Sequence, residues 1–148
     1  MGPDIAEQAD LIRVAHLLAD AARVETLRLF RVSGLVADDK AIDGALFDPV
    51  TEADRAAESA MRAILAKERP NDGIVGEEFG TTAGTSGLLW VLDPIDGTRG
   101  FISGTPTWGV LIAVSDATGP VFGIIDQPHI GERFVGGFGV AEVTGPHG

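Results

Sequence analysis

The stretch Leu88-Leu89-Trp90-Val91-Leu92-Asp93-Pro94-Ile95-Asp96-Gly97-Thr98-Arg99-Gly100-Phe101 constrains this chain more than any other. The apolar run Leu88 to Leu92 reads as a buried strand. It ends abruptly on a carboxylate, then a proline, then a second carboxylate three residues after the first. Gly97-Thr98 follows as a turn that opens a short helix. Two aspartates at a strand end, followed by bare backbone amides, make a site for hard cations and an anion together.

Composition narrows the partners of such a site. The formal net charge is −11, which argues against a nucleic acid or an anionic membrane as partner, since both would be repelled. A phosphate ester is still acceptable if metal ions reverse the local field. There is no cysteine, so disulfides, thiolate metal sites and thiol nucleophiles are excluded; this fits a cytoplasmic setting. No secretory signal is visible, and no apolar run approaches the ~20 residues of a membrane span. With 45% hydrophobic residues in 148, one ordinary domain with its own core is expected. The 20 glycines, roughly twice the usual share, fall mostly after Gly73, which points to helices first and a turn-rich sheet afterwards.

Asp4-x-x-Glu7 resembles a capping box at the start of a long helix. Ile5, Ala9, Ile12, Ala15, Ala19, Ala22, Thr26 and Phe30 recur at helical spacing, widened by Leu11, Val14 and Leu18, and Ser33-Gly34 is the expected stop. His16 reads as an ordinary helical residue. The segment 38–47, which carries Asp38, Asp39, Lys40, Asp43 and Gly44 with little periodicity, reads as a mobile surface loop. A second helix follows, with Thr51 as cap and Asp54 at the capping-box position, and with Ala57, Ala60, Met61, Ile64 and Leu65 on its buried face. Arg69 to Gly73 ends it. Ile74-Val75-Gly76-Glu77-Glu78 is a short strand ending in two acids, and 81–87 is a loop. Trp108 to Val114, Val121 to Ile125 and Arg133 to Val135 are further strands, the first two joined by a hairpin at Asp116 to Gly119. Gly136 to Gly139 begins one more turn or strand. The expected fold class is α+β, a largely antiparallel sheet flanked by two N-terminal helices.

Asp54, Glu77, Glu78, Asp93 and Asp96 each stand at a helix start or a strand end, where side chains leave a core and can converge. Five convergent carboxylates repel one another unless cations neutralise them, and Mg²⁺ suits oxygen ligands that leave room for water and phosphate. Each residue taken alone has a plainer reading. Asp54 can be a helix cap, Glu77-Glu78 a solvated strand end, Asp96-Gly97-Thr98 an ordinary turn, and Trp90, Trp108 and Phe101 core.

In order, Asp48-Pro49-Val50-Thr51-Glu52-Ala53-Asp54, then Gly76-Glu77-Glu78, then Trp90 to Phe101 resemble the inositol monophosphatase family of Mg²⁺-dependent phosphatases. Phe101 to Gly109 and Ile125-Asp126-Gln127-Pro128 look most like its histidinol-phosphatase branch. The resemblance implies the N-terminal half of the sugar-phosphatase fold and two or more Mg²⁺ ions. It assigns Glu77, Asp93 and the carbonyl of Ile95 to one metal, and Asp93 with Asp96 to a second. Thr98 and Asp54 orient an attacking water, Glu78 accepts a hydrogen bond behind them, and the amides of Gly97 and Thr98 receive the phosphate. A loop lysine belongs to the pattern, with Lys40 the candidate.

The function implied is hydrolysis of a phosphate monoester by metal-activated water, with L-histidinol phosphate the favoured substrate. The alternatives are inositol 1-phosphate or another sugar phosphate. Family members continue into a second α/β domain with a further metal-binding aspartate, which residues 1–148 do not contain. Asp116 and Asp126 are not substitutes, since one lies in a hairpin turn and the other in a different segment of the pattern. A non-catalytic metal- or phosphate-binding domain, and a fragment that folds only with a partner, are the rivals from other classes. Family members commonly form homodimers; the residues themselves leave the oligomeric state open.

Overall fold

Asp4 accepts a hydrogen bond from the Glu7 amide at 2.8 Å and so caps the first helix, α1, Ile5–Leu29. The computed structural model describes residues 2–32 and 49–148. The 38–47 segment and Lys40 lie outside the described residues. Leu11, Val14, Ala15, Leu18, Ala19, Ala22 and Thr26 form the buried stripe of α1. Ile5, placed on that stripe by spacing, is 84% exposed, because burial begins only at Leu11 and the first turn projects past its neighbours. The helix also stops at Leu29, before Ser33-Gly34. Phe30 adopts an extended conformation (ψ 131°), and its ring packs on Phe101 and Trp108 with centroids 5.3 and 5.1 Å apart. Burying three rings together favours that departure over one more helical residue.

The second helix, α2, spans Pro49–Glu68. It is already formed at Pro49, a residue suited to a first helical position, so Thr51 lies inside the helix and does not cap it. The capping-box reading of Asp54 fails with it. Ala57, Met61 and Leu65 of α2 and the α1 stripe share one core with Trp90, Leu92, Val110, Ile112, Val114, Phe122 and Ile124 of the sheet.

Seven strands make that sheet: β1 Gly73–Gly76, β2 Gly80–Thr82, β3 Leu89–Asp96, β4 Gly109–Asp116, β5 Gly119–Gln127, β6 Glu132–Gly137 and β7 Val140–Thr144. A short helix, α3, Thr98–Ser103, links β3 to β4. The order is β2-β1-β3-β4-β5-β6-β7, antiparallel throughout except for β1 against β3. The expected antiparallel character holds. One detail differs: residues 80–82 are an edge strand and not part of a loop. The further turn or strand expected from Gly136 is present, since the C-terminal glycines lead through a turn into β7, which pairs with β6.

Both helices cover one face of the sheet. On the other face Leu111, Ile125, Phe134 and Val143 stand in one cross-strand row with Asp93, and Ile125, Phe134 and Val143 are exposed there. A buried ion network ties α1 to this sheet. Asp126 is fully buried and accepts from Arg23 Nη2 at 2.6 Å and Arg133 Nε at 2.8 Å. Arg133 also donates to Asp20 and lies 3.0 Å from His16 Nδ1.

Candidate metal and phosphate site

The strand carrying the two aspartates does not stop at the first. β3 runs on through Pro94 to Asp96, and its pairing with β4 shifts between Asp93, opposite Leu111, and Asp96, opposite Gly109. Three steps along β3 match two along β4, so β3 contains a bulge of one extra residue. Pro94 is tolerated there because β1 pairs with β3 only as far as Leu92. In a regular strand, residues three apart point to opposite faces. The extra residue breaks that alternation, and the charge of Asp96 is felt at Asp93.

Beyond the bulge Gly97 sits in the left-handed region (φ 89°, ψ 46°), and a Cβ there would lie 2.6 Å from the Thr107 carbonyl. Only glycine makes that turn without strain. It sends the chain into α3, whose first amides Gly97 has no side chain to cap. Phe101 anchors α3 in a second core cluster with Val50, Ala53, Ile95 and Trp108, which also fastens α2 beside it.

Asp93 carries the electrostatic signature of the site. Among the described residues its Oδ1 is buried with no hydrogen-bond partner. Burial, then the neighbouring charges of Glu77 and Asp96, push its pKa up to about 6 from 3.8, and the Glu77 carboxyl is close enough to hydrogen-bond it. Glu78 is likewise pushed up, by burial and then by the carboxylates of Glu58 and Glu77, with Arg55 opposing. Glu77 leaves the end of β1 exposed, and Asp96 and Thr98 are exposed as well. Asp54 is buried on α2, next to Ala53 in that second cluster.

The structure thus brings Glu77, Asp93 and Asp96 together, with Glu78 adjoining Glu77. An unpartnered carboxylate oxygen among like charges fits a hard cation, which would remove the cost of ionising Asp93. Among the described residues no three Asp, Glu or His side chains close into a cage for an ion. Mg²⁺ does not require one, since it binds through one or two carboxylates and keeps much of its water. Next to Asp96 lies a cleft of about 230 Å³ lined also by Thr107, Trp108, Leu111, Ile125 and Gln127.

One residue that the sequence reading passed over belongs to this site. Glu58 of α2 is fully buried, and its carboxylate accepts the amides of Glu78 (3.0 Å) and Phe79 (2.9 Å) and Arg62 Nε (2.9 Å). Its available signal was position. Glu58 lies between the buried Ala57 and Met61, with an arginine at i+4.

Comparison with known proteins agrees with the geometry. Residues 7–140 match the inositol monophosphatase family. A histidinol-phosphatase of Streptomyces coelicolor is 43% identical over 129 residues, covering 84% of this chain and 47% of that protein. One of Mycobacterium tuberculosis is 40% identical over 125 residues, covering 84% and 46%. The solved structure of an inositol monophosphatase from Zymomonas mobilis superposes with a TM-score of 0.78 at 46% identity, over 97% of this chain and 53% of that one. The chain spans about half the length of the relatives it matches. With a family match over nearly its whole length and with that fold, the chain belongs to the inositol monophosphatase family.

Proposed function

We propose that this chain is the metal-binding part of a Mg²⁺-dependent phosphate monoesterase, and that L-histidinol phosphate is its favoured substrate. The observation that carries the reading is the buried, unpartnered Oδ1 of Asp93 among the carboxylates of Glu77 and Asp96. Glu77, Asp93 and the Ile95 carbonyl would hold one Mg²⁺, and Asp93 with Asp96 a second. When bound, such ions supply positive charge to the phosphoryl oxygens, acidify water and stabilise the leaving oxygen.

The chain's own groups do the positioning. The amides at Gly97 and Thr98, exposed after the glycine turn, orient the phosphate oxygens. Thr98 Oγ1 and the Asp54 carboxylate accept the protons of a water and aim it at phosphorus. Glu78, held less acidic by its surroundings, stands behind that pair as a hydrogen-bond acceptor. The cleft beside Asp96 has room for part of the alcohol group. The substrate preference rests on the histidinol-phosphatase relatives. The similarity to an inositol monophosphatase keeps inositol 1-phosphate as the second substrate to be tried.

The deciding experiment measures phosphate release from both esters with Mg²⁺ present. L-histidinol phosphate is expected to be cleaved faster, and Asp93→Asn to lose on the order of 10²-fold or more of the rate, the worth of several kcal/mol of charge stabilisation. Equal rates on both esters would remove the substrate preference, and an unimpaired Asp93→Asn would remove the role of Asp93. The chain's span of about half its relatives supports a second reading for the isolated chain, binding of metal and phosphate without turnover. Calorimetric Mg²⁺ binding with no phosphate release is the result expected of it.

A further inference from the structure

We propose that Glu58 is a positioning residue for this site: its carboxylate, by receiving the amides of Glu78 and Phe79, fixes the turn from which the Glu77 side chain reaches Asp93. The inference rests on the reading that Glu77 and Asp93 hold the cation.

The turn needs such a hold. β1 is four residues long, and its outer neighbour β2 is three exposed residues at the edge of the sheet. An acidic turn on so thin a support has little to define its conformation. The definition comes from one face of α2, where Arg55, Glu58 and Arg62 lie at i, i+3 and i+7. The Arg55 guanidinium lies 5.5 Å from the centre of the Phe79 ring. Arg62 donates to Glu58, to Thr82 Oγ1 at 3.0 Å and to the Gly80 carbonyl. Glu58 is the centre of the arrangement, and each of its oxygens accepts one backbone amide of the turn.

Gly76 completes the arrangement. A Cβ at that position would fall inside the van der Waals shell of the Glu58 carboxylate, so the absence of a side chain is what lets the carboxylate lie under the turn. A buried carboxylate is costly unless charged and hydrogen-bonding partners compensate, and here they are Arg62 and the two amides. If filling space were its only task, an apolar side chain at position 58 would serve at lower cost. The residues behind a metal ligand, which set its orientation, typically change affinity about 10- to 100-fold when replaced.

The test titrates the whole chain with Mn²⁺ and follows loss of the free-ion paramagnetic resonance signal. Glu58→Gln replaces one accepting oxygen with a donor, so either the Glu78 or the Phe79 amide loses its partner. Its Mn²⁺ dissociation constant is expected to rise about 10-fold or more. Met61→Ala, one turn along the same helix, loosens the core without touching the turn and is expected to leave affinity unchanged. Arg62→Met cuts the links to Gly80 and Thr82 and is expected to weaken binding too, which decides the matter if Glu58→Gln does not fold. Affinity unchanged in a folded Glu58→Gln, or in Arg62→Met when that variant decides, overturns the inference, as does an equal loss in Met61→Ala. Glu77→Gln separates the two readings. If it leaves affinity intact, the assignment of the cation site falls; if it abolishes binding while Glu58→Gln does not, only the positioning role falls.

Discussion

Asp126, Glu58 and Asp93 are carboxylates taken out of water to different degrees, and each is compensated differently. Asp126 is neutralised by two arginines, and Glu58 by one arginine and two amides. Asp93 faces further acids, opposed by the Ile95 backbone amide, and among the described residues its buried Oδ1 has no partner. Of the three, only the last has no arginine beside it, which is why the cation is proposed there. The sequence disclosed Asp93 and Asp96 because both lie within one short motif, where spacing determines placement. It did not disclose Glu58, because a charged residue on a helix reads as solvated until the turn it supports is known.

At the same scale His16 offers a pH test away from the site. It is flanked by Arg133, Asp20, Asp126 and Glu142. Burial and then the Arg133 charge hold its pKa below the ordinary 6.5, against the pull of the three acids. The folded chain therefore binds this proton less readily than the unfolded one. The stability linked to His16 is present above the unfolded pKa and is lost as pH falls through the lower folded value. As pH is lowered from about 7.5 to 5, the urea midpoint of the wild type should change less favourably than that of His16→Gln, by up to one proton's linkage, while the raised pKa values of Asp93 and Glu78 act in the opposite sense in both proteins. Parallel slopes in the two proteins would refute it.

Among the elements, β3 was legible as a strand and illegible in its course. Five apolar residues announced it, and proline and two charges concealed that it continues to Asp96. Bulges leave little trace in hydrophobic patterning, because they depend on the partner strand's register. β2 was missed because three exposed, small or polar residues carry no period. The α1 boundary was misplaced because aromatic packing around Phe30 overrides local propensity. The network joining α1 to β5 and β6 carries a prediction at this scale. Arg133→Met leaves Asp126 buried with Arg23 as its remaining arginine partner and should cost on the order of 3 kcal/mol in urea denaturation. A loss within error of zero would mean that Arg23 alone suffices.

For the molecule as a whole, the two-helix, mostly antiparallel plan could be read from the order of periodicities. The parallel pairing of β1 with β3 could not, because nothing local encodes which edge a short strand joins. The net charge of −11 is also a whole-molecule property. It attracts divalent cations from a distance, and Glu77 and Asp96 are exposed enough for salt to screen them. Mn²⁺ affinity should therefore fall several-fold between about 0.01 and 1 M sodium chloride, as the Debye length contracts from about 30 to about 3 Å. Salt-independent binding would place the cation in a far more enclosed site than the one described.

The single parallel pairing has a further consequence, in the order of folding. β4 to β7 form a meander of sequence neighbours, whose two- to four-residue loops close at small entropic cost, whereas β3 reaches β4 through α3. β1 reaches β3 only after β2 and the following loop are laid out, and it needs α2 beneath its turn. A cation proposed to join Glu77, at the end of β1, to Asp93 of β3 meets both ligands only where that strand pairing and the turn over α2 are complete. Its stabilisation should therefore appear as slower unfolding, with little change in the rate of folding.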